Sequence, residues 1–260
     1  MDLAKLKYIA EDSVEQEIMA TQYSDDFAGV YLHSGSPFVL KDHIHAIYCF
    51  RAYSEYIYPI YFFISDDAIT EDFYILIGLY RYIRPMPIRT LKNVVEFNNF
   101  SINELLHWID EKHNNLIYFQ SDGWLIKRGY EELCSQYDYL GAKWKSPIRV
   151  IENTFNFPSL RVGNGGMNYR KRDKTLEILA LVNKNGGQQS LVKGIEIDGR
   201  MANKGPFLAE DLFFSYFGFG AGIYKPVPLD VADQFSLEPI TLEQYNQETK
   251  PCHAFHRIDE

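Results

Sequence analysis

Four short stretches carry residue types that could do chemistry, and each also has a plain structural use. The first is Gln120-Ser121-Asp122-Gly123, which ends the apolar and aromatic run Leu116–Phe119. Ligands of open α/β sheets bind just past the carboxyl ends of strands. Asp122 there could hold a divalent cation, and the cation a diphosphate; it could equally make only a turn. The second is Gly163-Asn164-Gly165-Gly166. Glycine inside a strand marks a bulge or a backbone pressed by something else, and each glycine costs conformational entropy. A sugar ring lying on exposed main chain would account for it, and so would a wide hairpin turn. The third is Glu210-Asp211, ahead of an apolar run. Carboxylates are favoured at a helix start by the dipole. One of them could also act as a general base, taking the proton of a sugar hydroxyl as that hydroxyl attacks. The fourth is Cys252-His253-Ala254-Phe255-His256. A neutral imidazole ligates manganese alongside carboxylate and phosphate oxygens, although a histidine in a tail is commonly plain surface.

Three weaker features accompany these. Lys143, Lys145, Arg149, Arg161, Arg170, Lys171 and Arg172 form a basic region that could face a diphosphate or an anionic acceptor, or simply water. His33-Ser34-Gly35-Ser36-Pro37 is a small-residue loop that would let backbone N–H groups approach a ligand, though it matches no phosphate-loop pattern. Asp66-Asp67 sits where a strand ends and reads better as a helix cap than as a ligand.

The elements that must position these residues follow from periodicity. Residues 2–22 read as an amphipathic helix with Leu3, Leu6, Ala10, Val14 and Ile18 on one stripe, so residues 1–24 are a helical segment or linker and 25–260 one domain. Strands are expected at 27–32, 57–64 and 116–119, with a short one possible within 88–95; helices are expected at 42–53, 71–83 and from Ser101 to His113, the last opened by a Ser101-Ile-Asn-Glu104 capping box. That alternation argues for an α/β layer with a largely parallel sheet. Further on, 129–137 reads as helix, 137–144 as strand, 160–169 as a glycine-broken strand, 173–182 as helix, 184–204 as a polar mobile loop and 210–216 as a helix start.

The bulk properties set limits. The chain has 260 residues, 46% hydrophobic and 15% aromatic, enough for a sizeable core. A formal net charge of −9 argues against nucleic acid as the main partner, since phosphate neutralisation needs a basic surface. Three scattered cysteines, Cys49, Cys134 and Cys252, favour a reducing compartment over a zinc or disulfide framework. The start lacks the apolar core of a signal peptide and the run 57–64 is too short to span a bilayer, so the expectation is a cytoplasmic protein with room for peripheral membrane attachment.

Taken in order, Ser121-Asp122-Gly123, Tyr137-Asp-Tyr-Leu-Gly-Ala-Lys-Trp144, Val162-Gly-Asn-Gly-Gly-Met-Asn-Tyr-Arg170, Glu210-Asp-Leu-Phe-Phe214 and Ala254-Phe-His256 resemble a bacterial group of GT-A-type glycosyltransferases, from about Phe27 onward. The order is also similar to that of inverting galactosyltransferases. The resemblance implies a GT-A-like, Rossmann-like sheet and transfer of a sugar from a nucleotide diphosphate, UDP first among them, to a glycan or lipid-linked glycan, in bacterial surface polysaccharide synthesis at the inner face of the membrane. It implies Mn²⁺ or Mg²⁺ on Asp122 and His256, with His253 a substitute; Asp211 as base and Glu210 orienting the acceptor; and Ser121, Asn164, Gly165, Gly166 and Arg170, with His33 and Ser34, around donor and acceptor. Galactose or galactofuranose is the donor sugar it suggests. Ser121 replaces the first Asp of a DxD, Lys143 stands where the group often has Pro, and Met167-Asn168 stands for Phe-Ser. Two rivals remain at this point: a metal-dependent hydrolase of nucleotide sugars, and a carbohydrate-binding module in which Asp211 only caps a helix.

Overall fold

The structure is a computed structural model describing residues 22–151, 160–197, 199–204, 207–238, 240–241, 252–256 and 258–259, so the helix expected over 2–22 lies outside the described residues save its last position. The apolar runs become β1 (Phe27–His33), β2 (Ile60–Ser65) and β4 (Asn115–Phe119), buried almost throughout. Burial on both faces is what parallel strands covered by helices show. Alternate side chains enter opposite cores. Val30 and Phe63 join Phe100 of α3 (Val94–Asn103), Ile178 of α5 (Arg172–Lys184) and Phe214 of α7 (Glu210–Gly220). Tyr31 and Phe62 join Ile47 of α1 (Leu40–Tyr53) and Leu76 of α2 (Glu71–Leu79) on the other face.

These strands belong to one eight-stranded sheet with β3 (Ile83–Ile88), β6 (Tyr139–Ile151), β7 (Leu160–Lys171), β8 (Gly194–Ile197) and β9 (Arg200–Lys204), in the order β3-β2-β1-β4-β7-β6-β8-β9. Pairing is parallel from β3 to β4 and antiparallel beyond. The mixed α/β sheet flanked by helices is the fold class expected.

Local boundaries differ where turn chemistry was misread. Arg84-Pro85-Met86-Pro87 does not merely stop a helix but lies inside β3. Prolines two apart keep both donor-less nitrogens on one side of a strand, and β3 is at the sheet edge, where no partner needs them. The N-cap is Asn93, more than two helix turns before Ser101: Asn93 Oδ1 accepts from Val95 N and Glu96 N, and Ser101 is buried near the end of α3. Residues 184–204, expected as a polar loop, hold the short α6 (Gln188–Leu191) and the β8–β9 hairpin, with Gly199 at φ +73° in its turn. The Asp66-Asp67 pair forms a 3₁₀ turn, and Thr70 precedes α2 instead.

Candidate functional site

The site is assembled from strands far apart in the chain. After β4 the backbone turns at Gln120–Asp122 and forms β5 (Gly123–Leu125), which pairs antiparallel with β12 (Ala254–His256), setting His256 opposite Gly123. On its other side β12 pairs in parallel with β10 (Ser236–Leu237), Leu237 opposite Phe255. One step further along that register lies Glu238. His256 Nε2 is therefore 3.3 Å from Asp122 Oδ1, and Nδ1 is 3.2 Å from Glu238 Oε1. Burial opposes charge on His256, but the two carboxylates outweigh it and raise its pKa to about 9.

The glycines make this approach possible. A Cβ on Gly166 would overlap the His256 ring, one on Gly123 the carbonyl of Gly166, and one on Gly163 (φ +142°) the side chains of Ser215 and Trp144. Close packing within the protein thus accounts for Gly163 and Gly166 without a ligand. Gly165 runs within β7, and the side chain of Asn164 lies outside what is described.

Glu210 and Asp211 open α7, as expected, and their surroundings separate them. Asp211 Oδ1 accepts from Leu212 N at 2.7 Å. Burial first, and then the charge of Glu210, raise the Asp211 pKa to about 6; the Leu212 N–H and Arg170 oppose this, and Glu238 adds to it. Glu210 instead forms an ion pair with Arg170, whose side chain is completely buried. Arg170 Nε donates to Asn168 Oδ1 at 2.8 Å, and the guanidinium lies 4.5 Å from the ring centroids of both Tyr118 and Phe214. Arg170, expected beside donor or acceptor, is in the interior behind Glu210, held there by cation–π and ionic contacts. A cavity of about 30 Å³ between Gln120, Asn168 and Glu210 has room for water, not for a sugar ring.

The remaining expectations divide. The His253 side chain is engaged elsewhere, with Nδ1 3.4 Å from Lys127 O, while its backbone N–H donates to Gln234 O at 2.9 Å and its carbonyl accepts from Ile126 N at 2.8 Å. Ser34 Oγ accepts from Leu91 N at 3.0 Å, and His33 Nε2 lies 2.9 Å from Ser36 O, so both are engaged in fixing the loop after β1. Near it, Tyr31 hydrogen-bonds His43 Nδ1 at 2.7 Å and also feels Ser121 and Asp122. Three of the seven residues of the basic region are spent on the protein itself. Lys143 pairs with Asp233 at 2.6 Å and Lys171 with Asp138 at 2.9 Å, and Arg170 with Glu210. Glu238 was not foreseen. It is a lone carboxylate in a Pro-spotted tail, and only strand pairing brings it to His256.

A divalent cation would fit Asp122 and His256 by displacing the imidazole proton that the two carboxylates favour. Among the described residues no group of three or more His, Cys, Asp or Glu could hold an ion alone. Two ligands each about 2.1 Å from an ion and at right angles stand roughly 3 Å apart, close to the 3.3 Å between Asp122 Oδ1 and His256 Nε2. An oxygen and an imidazole nitrogen suit manganese, and a site with few protein ligands leaves positions for diphosphate oxygens and water.

Comparison with known proteins adds the following. Residues 81–255 match the model of a family described as a protein of unknown function, DUF5672. No curated protein matches the sequence. Among solved structures, the apo form of mouse xyloside xylosyltransferase 1 is similar, with a TM-score of 0.53 and 11% identity over 89% of this chain and 97% of that one. A 4-diphosphocytidyl-2C-methyl-D-erythritol synthase from Anaerococcus prevotii DSM 20548 gives 0.38 and 12% over 59% and 75%, too low to carry an argument. At such identity the first likeness establishes the GT-A-like fold alone.

Proposed function

The chain belongs to the DUF5672 family, and we propose that it is a metal-dependent inverting glycosyltransferase, moving a sugar from a nucleotide diphosphate to a hydroxyl of a glycan. The observation that carries this is the meeting of Asp122, His256 and Glu238 at one place, with Asp211 close enough to feel Glu238.

Each residue then has a task. Asp211, raised to about 6, is a carboxylate matched to proton abstraction near neutral pH. It takes the acceptor hydroxyl proton as that oxygen bonds to the anomeric carbon; the bond from that carbon to the diphosphate breaks, and its electron pair leaves on the diphosphate. One displacement inverts the anomeric centre. Glu210, fixed by Arg170, orients the acceptor. Asp122 and His256 would hold Mn²⁺ or Mg²⁺, and the Glu238 carboxylate, beside Nδ1, would orient the imidazole. When bound, the ion supplies positive charge against the departing diphosphate. Ser121, Gly165, Gly166 and Asn164, with His33 and Ser34, border the donor and acceptor positions in this reading.

The donor we propose is a UDP-sugar, galactose or galactofuranose, and the acceptor a surface glycan or its lipid-linked precursor at the cytoplasmic face of the membrane. No described helix is long and apolar enough to cross a bilayer, so attachment there would be peripheral. A thermal-shift panel of nucleotide sugars with Mn²⁺ tests the reading. A UDP-sugar should raise Tm only with metal, and Asp122→Ala should abolish the shift. Full transfer in EDTA would remove the metal, and sugar release unchanged by any acceptor glycan would make the protein a hydrolase.

A further inference from the structure

A second hollow, of about 330 Å³, lies on the far flank of the glycine segment. Its walls are Leu160 and Val162 of β7, Phe219 at the end of α7, and Pro226-Val227-Pro228. That is the lower end of the size range of ligand pockets. The prolines have no N–H to offer, and Leu160 and Val162 are almost fully buried. A nucleotide or a sugar ring would strand hydroxyls there, at about 1–3 kcal/mol for each left without a partner. An alkyl chain loses nothing and gains the removal of its surface from water. At the rim stand one exposed apolar side chain, Leu229, and one exposed cation, Arg161.

The position gives the hollow its meaning. Val162 forms part of it, and Gly163 to Gly166 follow on the same strand, with His256 lying against Gly166. Four strand steps from Val162 to Gly166 are at most roughly 13 Å, a span that a short saccharide covers. Gly163 pins β7 between Ser215 of α7 and Trp144 of β6, so this spacing is rigid.

We propose that the hollow takes the apolar chain of the acceptor: an alkyl or isoprenoid phosphate carrying the glycan, with the chain among the prolines, the phosphate at Arg161 and the sugar directed along β7 toward Asp211. Arg161 borders the hollow, and a guanidinium fork suits the phosphate of a ligand with one charged end. This rests on the transferase reading for the word acceptor, whereas the hollow itself does not.

The test uses dodecyl phosphate below its micellar concentration, with uncharged dodecyl maltoside as control, titrated by calorimetry into the full chain. Dodecyl phosphate should bind more tightly than dodecyl maltoside. Leu229→Asp, a change at an exposed position, should weaken both by roughly tenfold or more, because it puts a charge at an apolar mouth. Arg161→Gln should remove the preference for the phosphate and leave maltoside binding unchanged. Absence of dodecyl phosphate binding, or binding indifferent to Leu229→Asp, overturns the proposal. Binding of UDP-sugars with Mn²⁺ is measured on the same proteins and should not change in either variant. If dodecyl phosphate binds as described but no nucleotide sugar does, the transferase reading fails and the acceptor assignment with it, the hollow remaining a lipid-phosphate site.

Discussion

Arg170–Glu210 and Asp122–His256–Glu238 are built from similar groups and answer their charges differently. In the first, one cation meets one carboxylate, sealed between Tyr118 and Phe214 with no exposed guanidinium. In the second, one imidazolium meets two carboxylates, leaving a negative charge over, and Asp122 is half exposed. In the buried pair the two charges answer each other within the interior. An unbalanced, open cluster still attracts positive charge, and that imbalance, rather than the presence of acids, supports reading it as a site.

The sharpest test of the division is Asp211→Asn. It should lower turnover by about 10²–10⁴-fold, the range of general-base contributions, while nucleotide affinity by calorimetry stays within error. A collapse of nucleotide binding would reassign Asp211 to the donor. Next comes Arg170→Met. Glu210 would keep a charge with its partner gone, and denaturant unfolding should show a loss of about 3–5 kcal/mol. A loss under about 1 kcal/mol would mean that the pair is not the fixed element described. Glu238→Gln should spare stability more but weaken Mn²⁺ binding about 10–100-fold, the usual effect of removing a partner of a metal-bound histidine. Equal metal affinity would dissolve the contrast between the two clusters.

The pH dependence is subtler. Asp211 works as a base only when ionised, so kcat/KM should fall on the acid side with an apparent pKa near the value of about 6. The sign for stability is the reverse. A carboxyl raised from 3.8 favours folding most fully below that value and loses the contribution as pH rises through about 6. Burial raises it first and Glu210 second, so Glu210→Gln should move the acid limb to lower pH. An unmoved limb would assign it to another group. Smallest of all is Lys143→Ala: both side chains of its pair with Asp233 are more than a third exposed, and the cost should stay below about 1 kcal/mol.

What could be read from the sequence follows range. Apolar runs with local turn signals are enough to locate β1, β2, β4, α1 and α2, because each needs only its own neighbours. Two errors were local as well: the prolines of β3 are harmless only at an edge, and Asn93 rather than Ser101 opens α3, a choice settled by which helix face packs. Pairing between distant residues left no trace. Nothing near Lys143 or Lys171 announces Asp233 or Asp138, so cations that looked available for a phosphate were already committed. Glu238 reaches His256 only through strands of two and three residues, too short to show a period. Asp122, Asp211 and His256 stood out through a resemblance in order; the meeting of Asp122 with His256 belongs to the fold.

That meeting also sets a sequence of events during synthesis. Chains leave the ribosome from the N-terminus and fold progressively. Asp122 emerges first, then Asp211 and Glu238, and His256 only afterwards, in the strand that lies between β5 and β10. Until that strand docks, the two acids flanking His256 have no imidazole between them, and the centre described here does not exist. If the proposed transfer holds, turnover would begin only once the strand Ala254–His256 has docked between β5 and β10.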